Sequence, residues 1–142
     1  VIKIIEEEQI KGLHNLSDLA TYQSRIDAVK IDLHRLLKEI KSSGKSIVGY
    51  GAPTKSTTLM NYFGLDSSII DFIIDDNELK QGKYSPLLHI PIVSSECIAN
   101  GNETDYMLIL AWNFADSIIE KVRKTNNFNG KFIVPLPKPI II

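Results

Sequence analysis

Apolar residues recur at three- and four-residue steps from Ile26 through Val29, Leu33, Leu36 and Leu37 to Ile40. That spacing lines one face of a helix and predicts a long amphipathic helix over about Ser17 to Ser43. Ser17 is the expected N-cap. Lys38 and Lys41 suit the carboxyl end of the helix dipole, and Gly44 can adopt the left-handed conformation that stops a helix. The segment Val1 to Leu16 predicts a shorter helix with Glu6, Glu7 and Glu8 on its solvated side.

Beyond Gly44 short apolar runs alternate with helical patterns, as a parallel sheet with crossover helices requires. Strands are expected near Ser46 to Tyr50, Ile69 to Asp75, Ile90 to Val93, Tyr106 to Ala111 and Lys131 to Pro135. Helices are expected near Thr54 to Phe63 and Ala115 to Lys124, with a short helical turn near Ser94 to Ile98. Continuous apolar strands such as Tyr106-Met107-Leu108-Ile109-Leu110 make sense only with helices over both sheet faces. The tail from Pro135 to Pro139 holds too much proline for a central strand. The expected fold class is therefore α/β: one Rossmann-like, three-layer domain with a mainly parallel five-stranded sheet and a long N-terminal helix. Residues 1–44 form its helical segment and 45–142 its sheet-bearing part.

Composition narrows the function classes. With 142 residues, 44% hydrophobic and 23% charged, the chain can bury roughly two-thirds of its unfolded surface, enough for one real core. The net charge is −1 and the basic residues are scattered, so neither nucleic acid nor an anionic membrane is an expected partner. No apolar run approaches the roughly 20 residues of a membrane span, and the start lacks a signal-peptide pattern, which makes a cytoplasmic location the default. Cys97, the single cysteine, has no internal disulfide partner and reads as a small buried side chain.

The first strand runs into Gly49-Tyr50-Gly51-Ala52-Pro53-Thr54-Lys55-Ser56 and then a helix, where a doubly wound sheet places its first ligand-binding turn. Glycines there permit close backbone approach, and free amides at a helix start can hold an anion. The pattern is not a standard fingerprint, because Thr54 stands where the dinucleotide and Walker motifs both want glycine. A tight turn and a phosphate cradle both fit it. The second strand ends in Asp75-Asp76-Asn77, the place where nucleotide-binding sheets put a carboxylate on ribose hydroxyls, although Asp and Asn also end strands as ordinary turn formers. Lys80 and Lys83 in the loop that follows could meet phosphate or simply be solvated.

Trp112-Asn113 closes the fourth strand. The indole could stack on a sugar or base and the amide bond hydroxyls, or Asn113 could cap the next helix. His89, before Ile90-Pro91, could approach the same edge, whereas His14 and His34 read as surface or packing residues. Tyr50, Lys55 and Asp76 could serve as acid–base groups, but spacing alone assigns none of them a proton transfer, and no catalytic residue is assigned.

The blocks Gly49 to Lys55 with Leu59 to Leu65, Phe72 to Asp76 with Lys80 to Tyr84, His89 to Ile92, Leu108 to Asn113 and Gly130 to Pro137 together resemble the carboxyl-terminal domain of sugar C-methyltransferases. Glu8 through Tyr22 resembles the segment leading into that family's long helix. The resemblance covers nearly the whole chain. It implies that residues 45–142 are a C-methyltransferase C-terminal domain, and it carries over Gly49, Tyr50, Gly51, Ala52, Lys55, Asn61, Asp75, Asp76, Lys80, Gly82, His89, Trp112 and Asn113 as motif positions. Complete enzymes of the family resemble a cysteine-rich zinc module, a donor-binding module and this substrate-side module in series.

The implied reaction moves a methyl group from S-adenosylmethionine to a sugar carbon made nucleophilic beside a keto group. The implied partners are a nucleotide sugar and a donor-binding domain of the same or another polypeptide. S-adenosylmethionine and zinc are implied for the complete enzyme, with no cofactor in this chain, since the cysteine cluster, the donor loop and the family's Glu-His segment are not found in it. The resemblance thus implies a fragment or isolated domain. A free-standing nucleotide- or sugar-nucleotide-binding module is the alternative, because Phe72-Ile73-Ile74-Asp75-Asp76 before a basic loop also looks like the sugar-nucleotide domains of acyltransferases and epimerases.

Overall fold

The computed structural model describes residues 2–12, 16–99, 104–125 and 128–142; His14 lies outside them. Two helices, α1 (Ile2–Ile10) and α2 (Leu16–Ser42), lead into β1 (Ile47–Tyr50), α3 (Thr54–Phe63), β2 (Ile73–Ile74) and β3 (Ile92–Val93). These are followed by α4 (Glu96–Ala99), β4 (Tyr106–Ile109), a 3-10 turn (Trp112–Phe114), α5 (Ala115–Thr125), β5 (Lys131–Val134) and β6 (Ile140–Ile141). Ser17 lies inside the first turn of α2, where its carbonyl accepts from Thr21, so it is not the N-cap. The far end reads as expected: Gly44 has φ 75°, and its amide donates to the Lys41 carbonyl.

The sheet has six strands rather than five, in the order β3-β2-β1-β4-β5-β6. All neighbours are parallel except β6, which pairs antiparallel with β5. The sixth strand lies beyond the last proline of the tail, at a sheet edge, where the prolines ahead of it remove no ladder bond. The strand order reverses between β1 and β4, so this doubly wound arrangement, consistent with a Rossmann-like fold, has its switch point at the carboxyl ends of those two central strands.

Strand alternation sorts the core into two clusters. Ile47, Ile73, Leu108 and Ile133 face α2 and α3, where Leu33, Leu37, Leu59, Met60 and Phe63 cover them. Val48, Ile74, Met107, Ile109 and Phe132 face the other way, toward Ile98 of α4 and Ile119 and Val122 of α5. A fully buried leucine such as Leu33 or Leu37 stabilises the fold by roughly 1.5–3 kcal/mol. His34 seats α2 on the end of α3 by meeting the Phe63 carbonyl. Gly64 closes α3 with φ 64°, and Asn61 bonds back to the Thr57 carbonyl at 2.8 Å, a helix-internal role.

Two further expectations along the chain change. The apolar run from Ile69 was expected to be strand throughout, but only Ile73 and Ile74 pair. Ile69 and Ile70 are buried in a turn whose amides bond to the Asp66 carbonyl. Cys97 is half-buried on α4 rather than fully enclosed, and burial pushes its thiol above the ordinary value. Among the described residues no helix is long and apolar enough to cross a membrane.

Candidate functional site

The turn after β1 is built by the protein's own backbone. Gly51 has φ 88°, and its amide donates to the Ile74 carbonyl at 2.7 Å. A Cβ on Gly51 would lie 2.9 Å from the Cβ of Ala111, and one on Gly49 would lie 2.7 Å from Leu110 Cδ1. Both glycines thus answer to close packing of β1 on the end of β4, which needs no ligand to account for it. Ala52 follows with its amide donating to Asp75 Oδ2 at 2.6 Å, and Pro53, in an extended conformation, starts α3.

Asp75 and Asp76 part company because consecutive residues of an extended chain point to opposite faces. Asp75 turns toward α3 and is buried. Its oxygens accept from the amides of Ala52 and Asn77, the latter at 2.9 Å, and from Lys80 Nζ at 3.1 Å. Burial raises the Asp75 pKa, but the two amides and the ammonium outweigh that effect and hold the carboxyl below its usual range. Lys80 also donates to the Ala52 carbonyl at 3.0 Å. Asp75, Lys80 and Ala52 are therefore one internal clasp.

Asp76 turns toward α5. Its carboxylate accepts from the Tyr50 hydroxyl at 2.9 Å and pairs with Lys121 Nζ at 2.8 Å. Burial first, and the neighbouring carboxylates after it, push the Tyr50 phenol far above its ordinary value, so at neutral pH it is a proton-bearing donor and not a base.

At the switch point Lys55 Nζ lies 4.8 Å from the centre of the Trp112 ring and 5.4 Å from that of Phe114. Among the described residues no carboxylate pairs with it. Its charge rests on aromatic faces at the start of a helix, where the dipole disfavours a cation and favours an anion beside it. Asn113 is exposed within the 3-10 turn and does not cap α5, which follows directly at Ala115. His89 is not brought to this edge. It sits exposed with φ 49° in the turn between Ser85 and Ile90, ahead of β3 and so at the opposite end of that strand.

Beside the first turn, on the α3 side, opens a cleft of about 440 Å³. Ala52, Ser56, Thr57 and Met60 form one wall, and Lys80, Lys83 and Tyr84 belong to the other. Of the sequence-derived candidates the structure brings Ala52 and Lys80 to the cleft, Lys55, Trp112 and Asn113 to the crest beside it, and Tyr50 and Asp76 to the far face. Lys83, expected with Lys80 either to meet phosphate or to be solvated, lines the cleft; Tyr84, Ser56 and Lys121 were not singled out beforehand. The run Thr54 to Thr58, four hydroxyls in five residues opening a helix, was the available signal for Ser56; Lys121 carried none.

A family model described as the C-methyltransferase C-terminal domain matches residues 1–137. The chain belongs to that family. The chain is 37% identical over all 142 of its residues to C-methyltransferase NovU of Streptomyces niveus. The chain spans 34% of that relative's length, so most of the relative has no counterpart in these 142 residues.

Proposed function

We propose that this C-methyltransferase C-terminal domain is the substrate-side part of an S-adenosylmethionine-dependent enzyme that methylates a carbon of a nucleotide-linked keto sugar in the cytoplasm. Residues 45–142 act as its Rossmann-like body and residues 1–44 as a helical segment packed on it. The observation that carries the reading is the family match over residues 1–137. The Lys55–Trp112 crest at the carboxyl edge of the sheet supports it, since ligands of doubly wound sheets lie at that edge, and so does the cleft that runs from the first turn along α3.

The residues at this edge do not fit the methyl donor. The carboxylate that would take ribose hydroxyls, Asp75, has its oxygens engaged by Ala52, Asn77 and Lys80, and the glycine turn is closed against Ala111. No step is assigned here through the donor. Nor is one assigned through zinc: among the described residues no three His, Cys, Asp or Glu gather as metal ligands. The work left to this chain is to bind the nucleotide sugar, exclude water from one side of it and present its reacting carbon to a donor held elsewhere, which lowers the barrier by orientation.

Calorimetric titration of the chain tests the reading. Nucleoside-diphosphate sugars are expected to bind with a dissociation constant of about a millimolar, as suits a site enclosed from one side only. S-adenosylmethionine is expected to show no saturable binding. One-to-one binding of the donor near micromolar concentration, with none of the sugar nucleotides, would contradict it.

A further inference from the structure

Lys80 and Lys83 both border the cleft, and the structure separates them. Lys80 is tied to Asp75 and the Ala52 carbonyl, so its charge is already answered. Lys83 has no carboxylate partner among the described residues, and no carboxylate lines the cleft. The cleft therefore carries one uncompensated positive charge. Next to it, Tyr84 leaves 62% of its surface exposed, although its backbone is fixed: Tyr84 bridges Pro91 antiparallel, the Gly82 amide donates to the Ile92 carbonyl at 2.9 Å, and the Ile92 amide to the Lys83 carbonyl at 2.8 Å. A large ring held open on a rigid edge costs little to order on binding. Met60 and Ile92 supply apolar lining, and Thr57 and Thr58 supply hydroxyls opposite.

A planar apolar group, a negative charge and nearby hydroxyl partners are what this lining accepts. A volume near 440 Å³ falls within the range of about 300–1,000 Å³ usual for small-molecule sites. Resting on the nucleotide-sugar reading above, we propose that the nucleoside-diphosphate end of the ligand lies in this cleft, with Lys83 on a phosphate and Tyr84 against the base. The sugar then extends past Ala52 to the crest where Lys55 meets Trp112. Lys83 and Tyr84, rather than Asp75 and Lys80, thereby set affinity for the nucleotide.

Ligand-observed NMR titrations with thymidine and uridine diphosphates, and with the corresponding diphospho-glucoses, test this on the wild-type chain and on Lys83→Ala, Tyr84→Ala and Lys55→Ala. Both cleft side chains are exposed, so the variants are expected to keep the wild-type circular dichroism spectrum and melting curve. Lys83→Ala should weaken the bare diphosphates about tenfold and flatten their salt dependence. Tyr84→Ala should weaken them about tenfold through lost stacking. Lys55→Ala should leave the bare diphosphates within about twofold while weakening the diphospho-glucoses further, because its cation faces only the sugar end. Diphosphate affinity unchanged in both cleft variants would overturn the inference and leave the functional reading standing. A wild-type chain that binds none of the four compounds would overturn both.

Discussion

The two edges of the sheet carry matching sets of aspartates and lysines with different consequences. At the amino edge, Asp71 accepts from the Ile47 amide at 3.1 Å and pairs with Lys41 at 2.8 Å. Asp105 accepts from the Ser46 amide at 2.9 Å and pairs with Lys45 at 2.7 Å. Each carboxylate ties the start of β1 to a neighbouring segment, and each nearby ammonium balances it. At the carboxyl edge Asp75 and Lys80 repeat this arrangement, stitching the first turn to the end of β2. At the carboxyl edge and in the cleft that opens from it, two further lysines, Lys55 and Lys83, have no carboxylate partner among the described residues. A carboxylate at a strand end is thus as readily a stitch as a site, and it is on the unbalanced cations that the proposed ligand site rests.

Breaking the carboxyl edge should cost most at the turn itself. Gly51→Ala combines left-handed backbone strain with a contact on Ala111 that cannot yield easily, and is expected to destabilise by about 3 kcal/mol. The measurement is the urea midpoint at unchanged slope. Loss of ligand binding alone, with full stability, would mean that the glycine serves the ligand after all.

The next effect separates the two adjacent aspartates. Asp75→Ala leaves two amides and the Lys80 ammonium without their acceptor in a buried place, at a cost of about 2–3 kcal/mol. Asp76→Ala removes a half-exposed pair with Lys121 and should cost less than about 1 kcal/mol. Equal losses in chemical denaturation would refute the division of the pair between the two faces.

The amino edge answers to acid, with the smallest effect. The Lys45 ammonium and the Ser46 amide hold the Asp105 carboxyl down to about 2 from its ordinary 3.8. A depressed folded value means that its stabilisation is complete above the ordinary value and disappears as pH falls through about 2. In Asp105→Asn the urea midpoint should therefore lose part of its fall over that window relative to the unaltered chain. Identical pH profiles would remove Asp105 from the account of this edge.

Much of this architecture was legible beforehand. The three-residue steps from Ile26 to Ile40 and the strand–helix alternation after Gly44 locate the helices and the four central strands to within a few residues. Local periodicity failed where burial and pairing diverge: Ile69 and Ile70 are core residues held in a turn by Asp66, and apolarity alone does not distinguish them from strand. The edge strand β6 was obscured by the prolines ahead of it, which forbid a central strand and not an edge one. At the candidate site, position after a strand was enough to place the Gly51 turn, Asp75 and Trp112 at the carboxyl ends of their strands, where the structure has them. It could not say that Asp75 would be internally engaged, because hydrogen bonding to Ala52 and Lys80 depends on how the turn and the loop fold together. Nor could it separate Lys80 from Lys83, three residues apart in one polar loop.

The central claim, that the carboxyl edge binds the ligand while the amino edge only stitches the fold, is tested most directly by amide shift mapping. A nucleoside-diphosphate sugar titrated into the isotope-labelled chain should move the amides of Ala52, Thr54 to Thr58 and Lys83 to Ser85, and leave Ser46, Asp71 and Asp105 in place. Shifts concentrated at Ser46, Asp71 and Asp105, with the cleft amides unmoved, would contradict it.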